Sequence, residues 1–74
     1  MQWNLIRLRK ENNLFQKDME KILSISKDAY GLKERGKVQF TMDEMFTLSQ
    51  YFGLPIEQIF LPRNFGDTET KERN

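Results

Sequence analysis

The segment from Gln16 to Lys37, QKDMEKILSISKDAYGLKERGK, constrains the fold of this chain more than any other feature. It holds two short amphipathic helical patterns that are separated only by Ser24 to Ser26, and Gly36 ends the second pattern. Two helices joined by three or four residues cross steeply, so that the second helix stands out from the domain. The pattern therefore predicts a helix-turn-helix.

Local signals predict three further helices and no strand of useful length. Thr41 and Glu44 form a capping box, and Ser26 is a suitable N-cap. By contrast, Phe15 stands where an N-cap hydroxyl is expected. The predicted ranges are 4–12, 16–23, 27–35, 42–52 and 56–60. We expect an all-α, compact five-helix domain over residues 1–65 and a disordered tail over residues 66–74, which contain no apolar side chain.

Apolar side chains recur at helical spacing on the predicted fourth helix, and this spacing is typical of a buried face. The residues concerned are Met42, Met45, Phe46, Leu48 and Phe52. The end of the chain holds more apolar residues than one short helix needs to cover a core. Phe60, Leu61 and Phe65 are therefore candidate contacts of a homodimer, with burial in the core as the alternative.

The composition excludes several kinds of site. The chain has no cysteine and no histidine, which removes disulfides, thiolate or imidazole metal sites, and thiol or imidazole catalysis. No carboxylate pair has a recognisable catalytic spacing. No apolar run approaches the roughly 18–20 residues that span a bilayer. We expect a cytoplasmic protein that is not an enzyme and has no metal, cofactor, membrane or small-molecule partner.

Charge is divided unevenly along the chain. Residues 1–37 hold nine Lys/Arg and five Asp/Glu, a net charge of +4, whereas residues 38–74 hold three and six, a net charge of −3. A basic half that carries the helix-turn-helix is expected where nucleic-acid phosphates are neutralised. The alternative is a chance imbalance on solvated faces.

With its helices assigned, the chain resembles the phage-repressor-like helix-turn-helix family, the XRE or Cro-like regulators, over about residues 4–61. The resemblance rests on Leu8-Arg9, Leu14, Gln16, Ser24-Ile25-Ser26, Tyr30, Glu34-Arg35-Gly36-Lys37 and the segment 52–60. It implies a lambda-repressor-like domain whose third helix enters the major groove of double-stranded DNA.

Three positions depart from the family pattern. Glu20 stands where a small residue is usual, Ser24 where glycine is common, and Lys33 where an apolar residue is usual. A glutamate can point outward, and a serine can adopt the turn with some strain. A lysine stem can cover apolar surface while its ammonium group stays in water.

The resemblance also implies site residues. Base contacts are expected from Lys27, Asp28, Gly31 and Leu32, and phosphate contacts from Gln16, Lys17, Tyr30, Arg35, Lys37 and Gln39. Alternatives stay open for several of them. Asp28 can instead favour the helix dipole, Leu32 and Tyr30 can be core residues, and the remaining polar side chains can be solvated. Arg9 and Glu34 are expected to form a structural ion pair.

Two functions from different classes follow. The first is a sequence-specific DNA-binding transcriptional regulator, a Cro-like repressor of phage or plasmid type that binds an operator as a homodimer. The second is a protein-interaction module on the same fold, similar to an antitoxin or antirepressor. Glu20, Lys33 and the apolar C-terminal residues favour the second function.

Overall fold

The computed structural model of the chain describes residues 1–60, in which five helices and no strand occur. The helices are α1 (Trp3–Glu11), α2 (Gln16–Leu23), α3 (Lys27–Glu34), α4 (Met42–Phe52) and α5 (Ile56–Ile59). The predicted all-α, five-helix fold is confirmed, and the ends of three helices shift by one residue. None of these five helices has the length and apolar character needed to cross a membrane. The predictions for Leu61, Phe65 and the tail fall outside the described residues.

Left-handed residues end the first four helices. These residues are Asn13, Ser24, Gly36 and Gly53, with φ of 59°, 57°, 81° and 71°. In each case the next residue donates its N–H to a carbonyl five residues back: Leu14 to Arg9, Ile25 to Glu20, Lys37 to Leu32 and Leu54 to Ser49. This bond is the signature of the Schellman motif, in which a left-handed residue is usually glycine or asparagine. Ser24 is the exception among the four.

Replacing Ser24 with glycine should stabilise the protein by about 1 kcal/mol, because a left-handed Cβ crowds the following carbonyl. The midpoint of thermal unfolding should rise by roughly 4–8 °C. The reverse change, Gly53→Ser, is a matched control, since a Cβ at Gly53 meets no atom within 4 Å and adds only backbone strain. Thermal unfolding is followed by circular dichroism. A higher unfolding midpoint for Gly53→Ser than for the wild type, or a lower one for Ser24→Gly, would contradict this account.

The core gathers one or two side chains from each element. Leu5, Met19, Tyr30, Phe40, Leu48, Ile59 and Phe60 are its buried hydrophobic residues. The ring of Phe40 lies between Tyr30 and Phe60, with centroid distances of 6.2 and 5.0 Å. Phe60 is therefore a core residue, and its predicted place in a dimer interface is wrong, because the loop before α4 supplies a ring that covers it.

The buried face of α4 is narrower than the sequence suggests. Met45, Leu48 and Phe52 contact the core, whereas Met42 and Phe46 are exposed. The helix packs against α2 and α5, and its fully buried residue, Leu48, marks the packed side. Successive residues turn by about 100°, which carries Met42 and Phe46 well away from that side. The prediction that both belong to the core is wrong.

Lys33 connects the end of α3 to the beginning of α4. Its Nζ donates to both carboxylate oxygens of Glu44 at 2.7 Å, and each of the two side chains is only 12% exposed. Glu44 also completes the capping box, because it accepts the N–H of Thr41 at 2.9 Å while Thr41 Oγ1 accepts the N–H of Glu44 at 3.1 Å. The expected placement of the Lys33 ammonium group in water is therefore wrong.

This pair predicts a loss of stability in acid. Burial alone would raise the pKa of Glu44, but the hydrogen bonds from Lys33 and from the backbone of Thr41 outweigh it and hold the pKa below 4.5. The stabilisation is therefore complete above about pH 4.5 and is lost as the pH falls through the lower folded-state value. Glu44→Gln and Lys33→Gln should each flatten the pH dependence of the unfolding free energy in urea titrations below that pH. If the unfolding free energy of both variants kept the wild-type pH dependence below that pH, this assignment would be refuted.

Candidate nucleic-acid interface

Helix α3 presents one polar, exposed side and one buried side. Ser26 begins the helix, because its Oγ accepts the N–H of Ala29 at 3.1 Å. From that start, Lys27, Asp28 and Leu32 are exposed on one side. On the other side Tyr30 and Glu34 are buried. The cap fixes where α3 begins, and the burial of Tyr30 and Glu34 fixes which side of the helix faces solvent.

An open groove of about 330 Å³ lies between the exposed side of α3 and the beginning of α2. Its lining residues are Gln16, Lys27, Asp28, Gly31, Leu32 and Arg35. The structure therefore brings together all four residues expected at base edges and two of those expected at phosphates. Lysine, arginine and glutamine supply donors to this groove, and aspartate supplies an acceptor.

Leu32 borders the groove and lies outside the core cluster. The alternative in which it fills the core place that Lys33 leaves is wrong. That place needs no substitute, because the Lys33 side chain is itself packed between α3 and α4 through its pair with Glu44.

Arg35 extends back over the groove instead of pointing into the following loop. It is the C-cap of α3, and a Cβ added to Gly31 would lie 3.5 Å from its Nη1. Gly31 is consequently buried beneath the guanidinium group, which differs from its expected open position at a base edge. Sequence reasoning missed this contact, although a spacing of four residues on one helix favours it.

Behind the groove lies a buried polar cluster centred on the Glu34 carboxylate. Arg9 Nε donates to Oε2 at 2.9 Å and Tyr30 Oη donates to the same oxygen at 2.7 Å. Gln16 Nε2 donates to Oε1 at 2.7 Å. The Arg9 and Glu34 side chains are 10% and 4% exposed. The expected ion pair thus exists, and three helices meet at it.

Tyr30 is a core residue, and its predicted contact with a phosphate is wrong. Its side chain is fully buried and its hydroxyl is bonded to Glu34. Burial raises the pKa of Tyr30 strongly and the bond to Glu34 raises it further, so the hydroxyl keeps the proton that it donates. The physical reason is that Glu34, one helical turn away, offers a buried acceptor.

Gln16 belongs both to the buried cluster and to the groove. Its amide oxygen and second N–H can still bind a ligand while one N–H is held by Glu34. Sequence reasoning missed this bond because the two residues are 18 positions apart and meet only when α2 crosses α3.

A second cleft, of about 480 Å³, continues from the groove across the first turn of α2. Phe15, Gln16, Lys17, Glu20 and Lys27 line it. Glu20 is half-buried there, where an outward position was expected. Lys37 and Gln39 are exposed in the loop that follows α3, as their predicted phosphate contacts require.

Comparisons with known proteins place the fold. No family model matches the chain, and no curated protein matches it. Among solved structures, it is similar to a transcriptional regulator from Listeria innocua, with a TM-score of 0.72 and 21% sequence identity. The similarity covers 96% of this chain and 61% of the Listeria protein, so the chain spans less than two thirds of that relative's length. At this level of identity, the likeness shows a shared fold.

Proposed function

We propose that the chain is a sequence-specific DNA-binding transcriptional regulator of the Cro-like type, which represses by occupying an operator. The observation that carries this proposal is the groove on α3, whose donors, acceptor and apolar side chain are exposed while the opposite side of the helix is anchored in the core. A protruding helix of this kind fits the major groove of DNA. The similarity to a protein named as a transcriptional regulator supports the same role.

Contacts in the proposed complex divide into two groups. Lys27 can donate to guanine, Asp28 can accept from cytosine, and Leu32 can meet a thymine methyl group. Arg35, which the resemblance implied as a phosphate contact, lines the same groove and is proposed here to donate to guanine as well. Phosphate contacts are assigned to Gln16, Lys17, Lys37 and Gln39, and these fix the register without reading sequence.

We further propose that the regulator binds as a homodimer to two half-sites about 34 Å apart, one turn of the double helix. A symmetric pair reads a palindrome with one surface used twice. Three residues were predicted as contacts between the two copies. Because Phe60 is buried, the proposal keeps only the other two, Leu61 and Phe65.

The second candidate, a protein-interaction module, is supported by the exposed Met42 and Phe46 on α4. Lys33 no longer favours it, because this lysine has a structural partner in Glu44. Under this alternative, the protein would be retained by a host protein and not by DNA.

Selection of bound sequences from random duplexes at two salt concentrations tests the proposal. We expect a palindromic consensus, with an affinity that falls steeply with salt because about four to six phosphates are contacted per protomer. Co-purification from host extract runs in parallel. Absence of sequence enrichment at both salt concentrations, together with retention of a host protein, would favour the second candidate and overturn the first.

A further inference from the structure

Phe15 is the most exposed of the large hydrophobic residues in residues 1–60, with 68% of its surface accessible. It occupies the N-cap position of α2, where its side chain makes no capping hydrogen bond. Serine, threonine, aspartate or asparagine would stabilise the helix at this position. The sequence therefore has a poor helix cap and a solvated aromatic ring at one residue, and neither stabilises the fold. Such a conflict with local rules is expected at functional sites.

The backbone holds Phe15 in a defined position. Its N–H donates to Asp18 Oδ2 at 2.7 Å, and its carbonyl accepts the N–H of Asp18 at 3.0 Å. The residue is extended, with φ of −89° and ψ of 164°. A ring attached to a backbone fixed in this way is available for a partner without a large ordering cost.

Phe15 borders two clefts whose linings hold three exposed lysines and one acid, the half-buried Glu20. Phe15 shares the second cleft with Lys17 and Lys27, and it borders another cleft, of about 280 Å³, with Lys10 and Asn13. Lys27 also lines the groove on α3, so the ring lies beside the surface that is assigned to base edges. A partner that meets Phe15 therefore meets positive charge on both sides, which suits a polyanion with apolar groups.

We propose that Phe15 is a specificity residue that contacts the C5-methyl group of a thymine next to the base read by Lys27. This inference rests on the proposed DNA-binding function. The methyl group of thymine is the apolar group that base edges present in the major groove. A phenylalanine side chain can make an apolar contact with this methyl group. The ring cannot form a hydrogen bond with a base, so its contact distinguishes thymine by the methyl group alone.

The test uses the duplex that the wild-type protein selects and a set in which each thymine is replaced in turn by deoxyuridine. At one position, loss of the methyl group should weaken wild-type binding about three- to fivefold, the loss expected for one buried methyl group. Phe15→Ser should weaken binding to the parent duplex by a similar factor and should not respond to deoxyuridine at that position. Phe15→Leu should keep part of the response.

Two matched measurements separate this role from a structural one. Phe15→Ser should melt at a higher temperature than the wild type because serine caps α2, so weaker binding cannot be due to unfolding. Trp3→Ser removes another aromatic side chain, 59% exposed, that lines neither cleft and should leave the affinity unchanged.

Three results would overturn the inference. The first is an unchanged affinity of Phe15→Ser for the parent duplex, and the second is an equal loss on thymine and deoxyuridine duplexes, which would assign the ring to the sugar backbone. In both cases the wild-type protein still binds DNA, so the proposed function stands. The third is the absence of wild-type binding to any duplex, which removes the proposed function together with the inference.

Discussion

Replacing Glu34 with alanine should lower the free energy of unfolding by about 3–5 kcal/mol. The Glu34 carboxylate accepts hydrogen bonds from Arg9, Gln16 and Tyr30, and its side chain is 4% exposed. Removing it leaves the Arg9 guanidinium and the Tyr30 hydroxyl buried without this acceptor, and an unpaired buried charge is the costliest of the defects. A domain of this size has roughly 3–5 kcal/mol of stability from its core, so the variant should be largely unfolded.

Urea titration followed by circular dichroism measures this effect. Arg7→Ala is the matched control. Arg7 forms an ion pair with Glu11 on the same helix as Arg9, and the side chains of Arg7 and Glu11 are both more than half exposed. That control should lose no more than about 0.5 kcal/mol. Comparable losses in the two variants would show that the buried cluster does not hold the three helices together.

Replacing Lys27 with alanine should change base preference, whereas replacing Lys37 should weaken binding to all sequences alike. Lys27 lines the groove on α3, and Lys37 lies in the loop after this helix. A side chain that reads a base contributes about 1–3 kcal/mol of discrimination at that base pair. A phosphate contact contributes no sequence information, and its loss reduces the slope of log affinity against log salt by about 0.9.

Competition binding with single-base variants of the selected duplex measures both effects. Lys27→Ala should flatten the preference at one position in each half-site, and Lys37→Ala should keep every preference while its salt slope falls. Both side chains are exposed, so thermal melts of the two variants should match the wild type. Sequence-independent losses of equal size in both variants would defeat the division between base and phosphate contacts.

Local signals predicted the helices because helix ends are decided by a few neighbouring atoms. Ser26 and Thr41 are predicted caps, and in the structure the side-chain oxygen of each accepts the backbone N–H three residues later. Gly36 is the predicted stop of the third helix, and it is left-handed in the structure. These interactions span at most five residues, so they can be read without knowledge of the tertiary structure.

The errors concern contacts between distant residues. Lys33 meets Glu44 across 11 positions, and Gln16 meets Glu34 across 18, so both contacts depend on how the helices are placed. Whether an apolar side chain points inward or outward also depends on how the helices are placed. Phe60 and Phe46 are both large aromatic residues on helical patterns, yet the first is covered by Phe40 and the second faces solvent. Hydrophobicity gave no means of separating them.

The exposed side of α3 was predicted better than the core, because the motif fixes which side of this helix protrudes. Lys27, Asp28 and Leu32 lie together on that side, as expected. Arg35 and Phe15 were placed less well. Arg35 is predicted as a phosphate contact, whereas it lies over Gly31 beside the groove. The sequence marks Phe15 only as a poor helix cap, whereas among residues 1–60 it is also the most exposed large hydrophobic side chain.

We propose that DNA binds to the groove on α3. Titration of the isotope-labelled protein with the selected duplex, followed by NMR at low ionic strength, locates the binding surface residue by residue. We expect the largest amide shifts at residues 15–17, 26–32 and 35–39, with little change along the exposed side of α4 around Phe46. Shifts concentrated on α4, or no shift with any duplex, would contradict the claim.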